Sequence, residues 1–275
     1  MLIHAAFPET FDVNQSMQDD TLRWSFRRVI MLSMSHKPNI FSPHGTPVID
    51  RTVGELVAER PARSRIFQNF GIDFCCQGSR TVRQACERNG VSADSVLEQI
   101  EAELKDKSAP KNNPADLPVP ELADYIVKKH HGFLWRELPR LHAMAARVAQ
   151  VHGGHTPSLN DVYEVFLGLE EEMVEHMKKE ENVLFPTIIA ISRNEMSPVR
   201  LDEPIECMMH EHESTGAALE RLRALTNGYQ PPIEACNTYR ALFAGLQELE
   251  EDMHQHIHLE NAVLFPAAQS LAIAE

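Results

Sequence analysis

The chain has little positive charge and no long apolar run, and each shortage excludes a class of protein. Its 275 residues carry 26 Lys and Arg against 40 Asp and Glu, which gives a formal net charge of −14. Nucleic-acid binders need clustered Lys and Arg for their phosphate contacts, so this balance argues against a nucleic-acid partner. No apolar run reaches the roughly 18 to 20 residues of a membrane-spanning helix, which argues against a membrane protein.

Cysteine is also scarce, with five residues in the chain, and two of them, Cys75 and Cys76, are adjacent. An odd number that includes an adjacent pair does not indicate a disulfide framework, so we expect a reducing, cytoplasmic environment. The first 34 residues have arginines beside only a short apolar patch, which is a poor secretory signal. We expect a disordered arm there.

The alternation of period two that is typical of strands is missing as well, and this favours an all-α class. Shifts in composition predict a disordered N-terminal extension at 1–45, a small helical domain at 46–106, a proline-rich linker at 107–120 and a larger domain at 121–275. The larger domain has four segments of helical period, near 121–149, 159–193, 201–226 and 233–271. Because short breaks join them, they predict an up-down-up-down four-helix bundle. In the small domain, Thr52 is expected to cap the first helix and Ser79 the third.

A repeat inside the bundle carries the candidate chemistry. His176 and Glu180 in the second helix recur as His256 and Glu260 in the fourth, at an offset of 256 − 176 = 80. Their spacing puts them on the apolar face of each helix. The full faces read Leu169, Met173, His176, Glu180, Val183 and Leu249, Met253, His256, Glu260, Val263. Burying ionisable groups in a core is costly unless they are paired or bind a metal, so two matched pairs indicate a metal site.

The other two helices offer further histidines. In the third helix His212 lies on the apolar face, whereas His210 shares its face with polar residues. In the first helix His131 continues the apolar pattern better than His130, and we prefer it. The candidate ligands are therefore His131, His176, Glu180, His212, His256 and Glu260. Imidazole and carboxylate together suit iron, zinc or manganese better than calcium or copper(I).

Remaining histidines and cysteines are assigned by their place in the helical pattern. His254 and His258 lie opposite His256 and are expected to face water. Cys86, Cys207 and Cys236 are expected to pack inside helices.

The order of the ligands discriminates among metal-binding bundles. Ferritin-like bundles use Glu-x-x-His on two helices, but Met173 stands three residues before His176. A His-Glu-x-x-His zinc protease motif is absent too. The histidine-rich pattern resembles hemerythrin-like proteins instead.

The whole chain resembles a more specific family. The segment 71–78, Gly-Ile-Asp-Phe-Cys-Cys-Gln-Gly, precedes a bundle with His-His-x-x-Leu-x-x-Glu-Leu-Pro at 130–139 and two His-x-x-x-Glu segments that end in Leu-Phe-Pro. This combination is similar to the RIC-type iron–sulfur cluster repair proteins of the ScdA/YtfE type, over about residues 50–270.

The resemblance implies a hemerythrin-like bundle behind an N-terminal ScdA-type domain. It also implies a non-haem pair of irons, bridged by carboxylates and an oxo or hydroxo group, on the six candidate ligands. The implied role is the repair of clusters damaged by nitric oxide or oxidants. Our own hypothesis is that the centre donates iron or handles nitric oxide, and we favour iron donation over enzymatic turnover. Expected partners are damaged iron–sulfur proteins, nitric oxide or oxygen, and a second copy in a cytoplasmic homodimer.

Alternatives to repair are a hemerythrin-like nitric oxide or oxygen sensor and a nitric oxide reductase. On the repair hypothesis Cys75 or Cys76 accepts or passes on iron or sulfur. A helix N-terminus, Arg80 and Arg83 follow the pair and are expected to favour a thiolate.

Overall fold

The computed structural model describes residues 46–105, 113–195 and 199–273, and these contain helices and no strand. The predicted all-α class is therefore confirmed. The arm expected at 1–45 and the first part of the predicted linker lie outside the described residues. Within the described ranges, every helix is too short or too polar to cross a bilayer.

Four short helices form the N-terminal unit. They are α1 (Val53–Glu59), α2 (Arg63–Asn69), α3 (Val82–Asn89) and α4 (Ala93–Lys105). Thr52 caps α1 as predicted, in a reciprocal pair of hydrogen bonds with Glu55. The predicted Ser79 cap of α3 is wrong. Thr81 caps this helix, because Gln84 lies three residues further on and its side chain reaches back to the Thr81 amide.

Four longer helices form the predicted bundle. They are α5 (119–152), α6 (158–192), α7 (Asp202–Leu225) and α8 (237–273). The helix α5 packs against α6 and α8, and α7 packs against the same two; the C-terminal parts of α6 and α8 also contact each other. The helix α5 begins at Val119, so the last residues of the predicted linker belong to it.

Three of these helices contain a π-helical turn of five residues. The turns are Val127–His131 in α5, Glu180–Leu184 in α6 and Glu260–Leu264 in α8. A π turn holds one more residue than an α turn, so the side chains after it are rotated relative to the α pattern. Val183, predicted to be on the buried face, is 64% exposed, and Leu184 is buried instead. The same shift buries Leu264 in place of Val263.

Two apolar cores lie along the bundle, one on each side of a polar layer. In α6, Met173 belongs to one core and Leu184 to the other. In α5, Leu134 belongs to the same core as Met173, and Ile126 belongs to the same core as Leu184. On each of the four helices, the buried His and Glu side chains lie between residues of the first core and residues of the second. Packed apolar groups therefore close the polar layer above and below.

The N-terminal unit docks on α8. Its helix α1 packs against α8 and the π turn of that helix. Phe74, which is buried, contacts His254 and His258 edge-on, with ring centroids 5.8 and 5.7 Å apart. The expectation that His258 faces water is therefore wrong, because the docked unit covers this side chain and leaves it only 4% exposed. His254 is partly exposed and lines a cavity beside the docked unit.

Candidate metal centre

All six candidate ligands lie in the polar layer, and none is more than 1% exposed. They form two overlapping groups, in each of which the ligand atoms lie within 4.8 Å of one another. One group is His131, His256, Glu180 and Glu260; the other is His176, His212, Glu180 and Glu260. The structure thus brings together every ligand predicted from the sequence, and both carboxylates belong to both groups. His130 lies outside them, and His210 is exposed on α7.

Each carboxylate reaches one histidine of each group. The oxygens of Glu180 lie 3.3 Å from His131 Nε2 and 3.4 Å from His176 Nε2. Those of Glu260 lie 2.8 Å from His256 Nε2 and 3.1 Å from His212 Nε2. Both side chains are therefore placed to bridge two cations.

The Nε2 atoms of the four histidines face one another in two pairs. His131 Nδ1 donates to Glu181, 2.9 Å away, so the Nε2 of a neutral His131 carries a lone pair. That atom lies 3.2 Å from His256 Nε2. In the second group, 3.1 Å separates the Nε2 atoms of His176 and His212. Two imidazole nitrogens at such a distance can bind one cation together once both are deprotonated.

Three of the four oxygens of these carboxylates lack a hydrogen-bond donor. Among the described residues, both oxygens of Glu180 and the Oε2 of Glu260 are buried without a hydrogen-bond partner, whereas Glu260 Oε1 lies 2.8 Å from His256 Nε2. A buried carboxylate without donors has lost its hydration, and this costs about several kcal/mol of free energy. Cation binding would offset this cost. The donor set, four imidazole nitrogens and two carboxylates, fits a transition metal pair.

Electrostatics inside the layer couple the histidines to the carboxylates. Burial disfavours protonation of His176, but Glu180 and Glu260 outweigh burial and raise the pKa of this imidazole to about 9. Burial likewise opposes ionisation of Glu260, but His256 and His212 hold the pKa of its carboxyl well below the ordinary value. The layer therefore keeps its carboxylates ionised, as cation binding requires.

Groups outside the cluster orient the histidines, and sequence reasoning missed two of them. Glu181 accepts from His131 Nδ1, and Asn261 accepts from His212 Nδ1 at 2.9 Å. Each directly follows one of the two shared glutamates, Glu180 or Glu260, and the repeat offset separates them, 261 − 181 = 80. The same repeat that revealed the ligands could have revealed these partners, since outer hydrogen bonds fix ring orientation.

The two groups of ligands differ in the residue that precedes one histidine. Glu211, just before His212, accepts from His176 Nδ1 at 2.8 Å. The corresponding residue just before His131 is His130, which stacks on His256 with centroids 5.5 Å apart and does not accept from it. The Nδ1 of His256 is buried without a hydrogen-bond partner among the described residues.

The environment of the adjacent cysteines differs from the expected one. The side chain of Arg80 contacts Gln77, so its charge is not directed at the thiols. Cys75 is buried, and its pKa is raised well above the ordinary value by the contact with Cys76, by burial and by the charge of Asp73. The expectation that a thiolate is favoured at Cys75 is therefore wrong.

The remaining three cysteines differ in their exposure to solvent. Cys86 is buried in the core of the N-terminal unit as expected. Cys207 and Cys236 are exposed, so the expectation that they pack inside is wrong.

The fold and the site together define a hemerythrin-type bundle with a preceding helical domain. The model of the hemerythrin HHE cation binding domain matches residues 122–268. The ScdA_N model, described as a domain of unknown function, matches residues 49–104.

Comparison with curated proteins gives the family. The chain is 36% identical over 213 residues to the iron-sulfur cluster repair protein ScdA of Staphylococcus haemolyticus, which covers 78% of this chain and 95% of that protein. It is 37% identical over 219 residues to the iron-sulfur cluster repair protein YtfE of Edwardsiella ictaluri, and 35% identical over 219 residues to YtfE of Escherichia coli; each match covers 80% of this chain and 96% of the relative. The chain belongs to the ScdA/YtfE family of iron–sulfur cluster repair proteins.

Proposed function

We propose that this protein repairs iron–sulfur clusters damaged by nitric oxide or oxidants, with two irons held in the polar layer as the source of metal. The family relatives bear the name of cluster repair proteins. The observation that carries the proposal is the convergence of four imidazoles and two carboxylates on two adjacent positions in a buried layer.

The assignment of ligands follows from the contacts. One metal position would be held by His131 and His256 and the other by His176 and His212, with Glu180 and Glu260 shared between the two. Ferrous iron held there would supply an exchangeable ion and a place for nitric oxide or oxygen to bind.

The protein groups around the ligands set how the iron is held. Glu181, Glu211 and Asn261 keep three imidazoles in the tautomer that presents Nε2 to the metal. The apolar cores on both sides exclude water from the layer. The two metal positions share two carboxylates, Glu180 and Glu260. Because a bundle richer in carboxylates would hold its metal more tightly, this ligand set favours donation of iron to a damaged cluster.

The first test is the metal content of the purified chain. We expect two irons per chain and the Mössbauer or electron paramagnetic resonance signature of a coupled pair. A single zinc would overturn the proposal.

A repair assay tests the link from metal to function. A purified [4Fe–4S] protein is damaged with nitric oxide, and the recovery of its activity is followed with the iron-loaded chain. We expect Glu180→Gln and Glu260→Gln to lose iron and repair together. The control is Glu175→Gln, since Glu175 is exposed on the same helix. Full repair by an iron-free variant would contradict the proposal.

A second experiment separates repair from the sensing of nitric oxide or oxygen. Sensing needs only the bundle, whereas repair is proposed to use the thiols of Cys75 and Cys76. The Cys76 thiol donates to the backbone carbonyl of His212 at 3.2 Å, so the pair lies beside the centre. We expect the double variant Cys75→Ser/Cys76→Ser to lose repair while binding nitric oxide at iron. Unchanged repair would remove the thiols from the mechanism.

A further inference from the structure

A second cluster of metal-binding groups lies in the turn between α2 and α3. Asp73 Oδ1 accepts from the backbone amides of both Cys75 and Cys76 at 2.9 Å. This holds the carboxylate beside the thiols, with Cys75 Sγ 3.1 Å from the same oxygen. One ligand atom from each of the three residues lies within 4.8 Å of the others.

The spacing of the two sulfurs suits a metal. They are 3.7 Å apart, much too far for a disulfide bond of about 2.05 Å. Two thiolates bound to one tetrahedral metal at about 2.3 Å lie about 3.8 Å from each other. The thiols are therefore already separated by the distance that a shared ion requires.

The cluster is accessible from a cavity. Asp73, Cys75 and Cys76 line a cavity of about 450 Å³ between the N-terminal unit and the bundle. On the bundle side, Gly216 makes room for the thiol of Cys76, since a Cβ added there would lie 3.1 Å from Cys76 Sγ. The cavity gives an ion and its remaining water ligands room to enter.

The charges around the cavity favour a cation. Four carboxylates line it, and they belong to Asp73, Glu213, Glu220 and Glu250. Two cationic side chains do so as well, Arg88 and Arg223, and Arg223 is paired with Glu250. The net charge of the lining is therefore negative before any thiol ionises.

The cluster is joined to the metal centre by direct hydrogen bonds. The Cys76 thiol donates to the His212 carbonyl, and Asn261 Nδ2 donates to the Cys75 carbonyl at 3.3 Å. The Oδ1 of the same Asn261 accepts from the His212 imidazole. The turn and a candidate ligand of the iron pair therefore share one short network.

We propose that Asp73, Cys75 and Cys76 form a third metal site, which binds a divalent ion with affinity for sulfur. That the ion is ferrous iron in transit between the cavity and the bundle rests on the proposed function. Binding releases two thiol protons to the water in the cavity, and the two thiolates and the carboxylate bind the ion through sulfur and oxygen, with no oxidant or reductant consumed.

The test uses Co²⁺ as the probe under anaerobic conditions, on the full chain with iron already in the bundle. All measurements are made in a Cys207→Ser/Cys236→Ser background, which removes the two exposed thiols. We expect one further equivalent of Co²⁺ to bind and to produce a sulfur-to-cobalt charge-transfer band. The His and Glu ligands of the bundle produce no such band, so the signal reports the thiols alone.

Variants of the three residues complete the test. Cys75→Ser and Cys76→Ser should each abolish or strongly weaken the band. Asp73→Asn keeps an acceptor for the two backbone amides and removes the charge, so it should fold normally and bind Co²⁺ at least tenfold more weakly. Circular dichroism and a thermal unfolding curve verify the fold of each variant.

The outcomes separate this inference from the proposed function. An iron-loaded bundle without a charge-transfer band overturns the third site and leaves the iron pair in place. A band in a chain whose bundle takes up no iron supports the third site and overturns the proposed function. Unchanged affinity in Asp73→Asn overturns the three-residue site.

Discussion

The amide oxygen of Asn261 lies 2.9 Å from Nδ1 of His212. Because the Nδ2 of Asn261 donates to the carbonyl of Cys75, the oxygen is fixed toward the imidazole. A residue of α8 thus orients a candidate ligand on α7 while it binds the N-terminal unit.

Asn261→Leu is expected to weaken iron binding about 10- to 100-fold, because His212 loses the acceptor that fixes its tautomer. Asn261→Asp keeps an acceptor and should retain most of the affinity. Competition with a ferrous chelator measures both. The control is Asn182→Leu, since Asn182 is exposed and bonds only its own helix among the described residues. Equal losses in Asn261→Leu and in the control would contradict the role of Asn261.

The two iron positions should lose metal at different rates. In one position, His176 and His212 each have a hydrogen-bond partner for Nδ1. In the other position His131 has such a partner, but His256 has none among the described residues. We expect a chelator to remove iron in two phases, about tenfold apart, with the position of His131 and His256 emptied first.

A variant assigns the phases. Glu211→Leu removes the partner of His176 and should speed the slow phase, whereas Glu206→Leu, at an exposed residue of the same helix, should not. Loss of both irons in a single phase from the unaltered chain would show that the positions are equivalent.

Two glycines should respond to Ala in opposite directions. A Cβ at Gly245 would lie 2.6 Å from Leu141 Cδ2, in the packed contact of α8 with α5. Because Leu141 is fully buried and cannot move aside freely, Gly245→Ala should lower the free energy of unfolding by about 1–3 kcal/mol. Gly168 in α6 has open space around it, so Gly168→Ala should raise it by about 0.5–1 kcal/mol. Denaturant unfolding measures both, and changes of the same sign would refute the packing argument.

Arg223 and Glu250 form an ion pair between α7 and α8. Glu250 is 2% exposed, and Arg223→Met leaves its carboxylate without the cationic partner. We expect a loss of about 1–3 kcal/mol in the free energy of unfolding. The double variant Arg223→Met/Glu250→Leu should recover part of that loss, because it removes the uncompensated charge. Arg221→Met, at an exposed residue on the same helix, is the control. No recovery in the double variant would contradict this account.

Most of the bundle could be predicted from the sequence, because apolar residues recur along it with the period of a helix. The spacing of His176 and Glu180 within an apolar face was enough to place them in the core, and the repeat extended this to the fourth helix. The π turns were not predictable, because nothing in the apolar spacing marks one extra residue per turn. Val183 was therefore assigned to the wrong face.

Features that depend on docking also escaped prediction. The pattern of α8 alone puts His258 on the side opposite His256, which is solvent in an isolated bundle. Only the packed N-terminal unit, through Phe74, buries it. The chemistry of Cys75 escaped prediction for a local reason: Asp73, two residues earlier, accepts from the backbone amide of Cys75, and this places its carboxylate beside the thiol.

The sharing of ligands between the two halves of the bundle gives the metal a mechanical role. The hairpin of α5 and α6 supplies His131, His176 and Glu180, and the hairpin of α7 and α8 supplies the other three ligands. On the proposed function, each metal ion would bind side chains of both hairpins and would cross-link them. Loss of an ion would remove one cross-link, so the stiffness of the bundle would depend on its metal content.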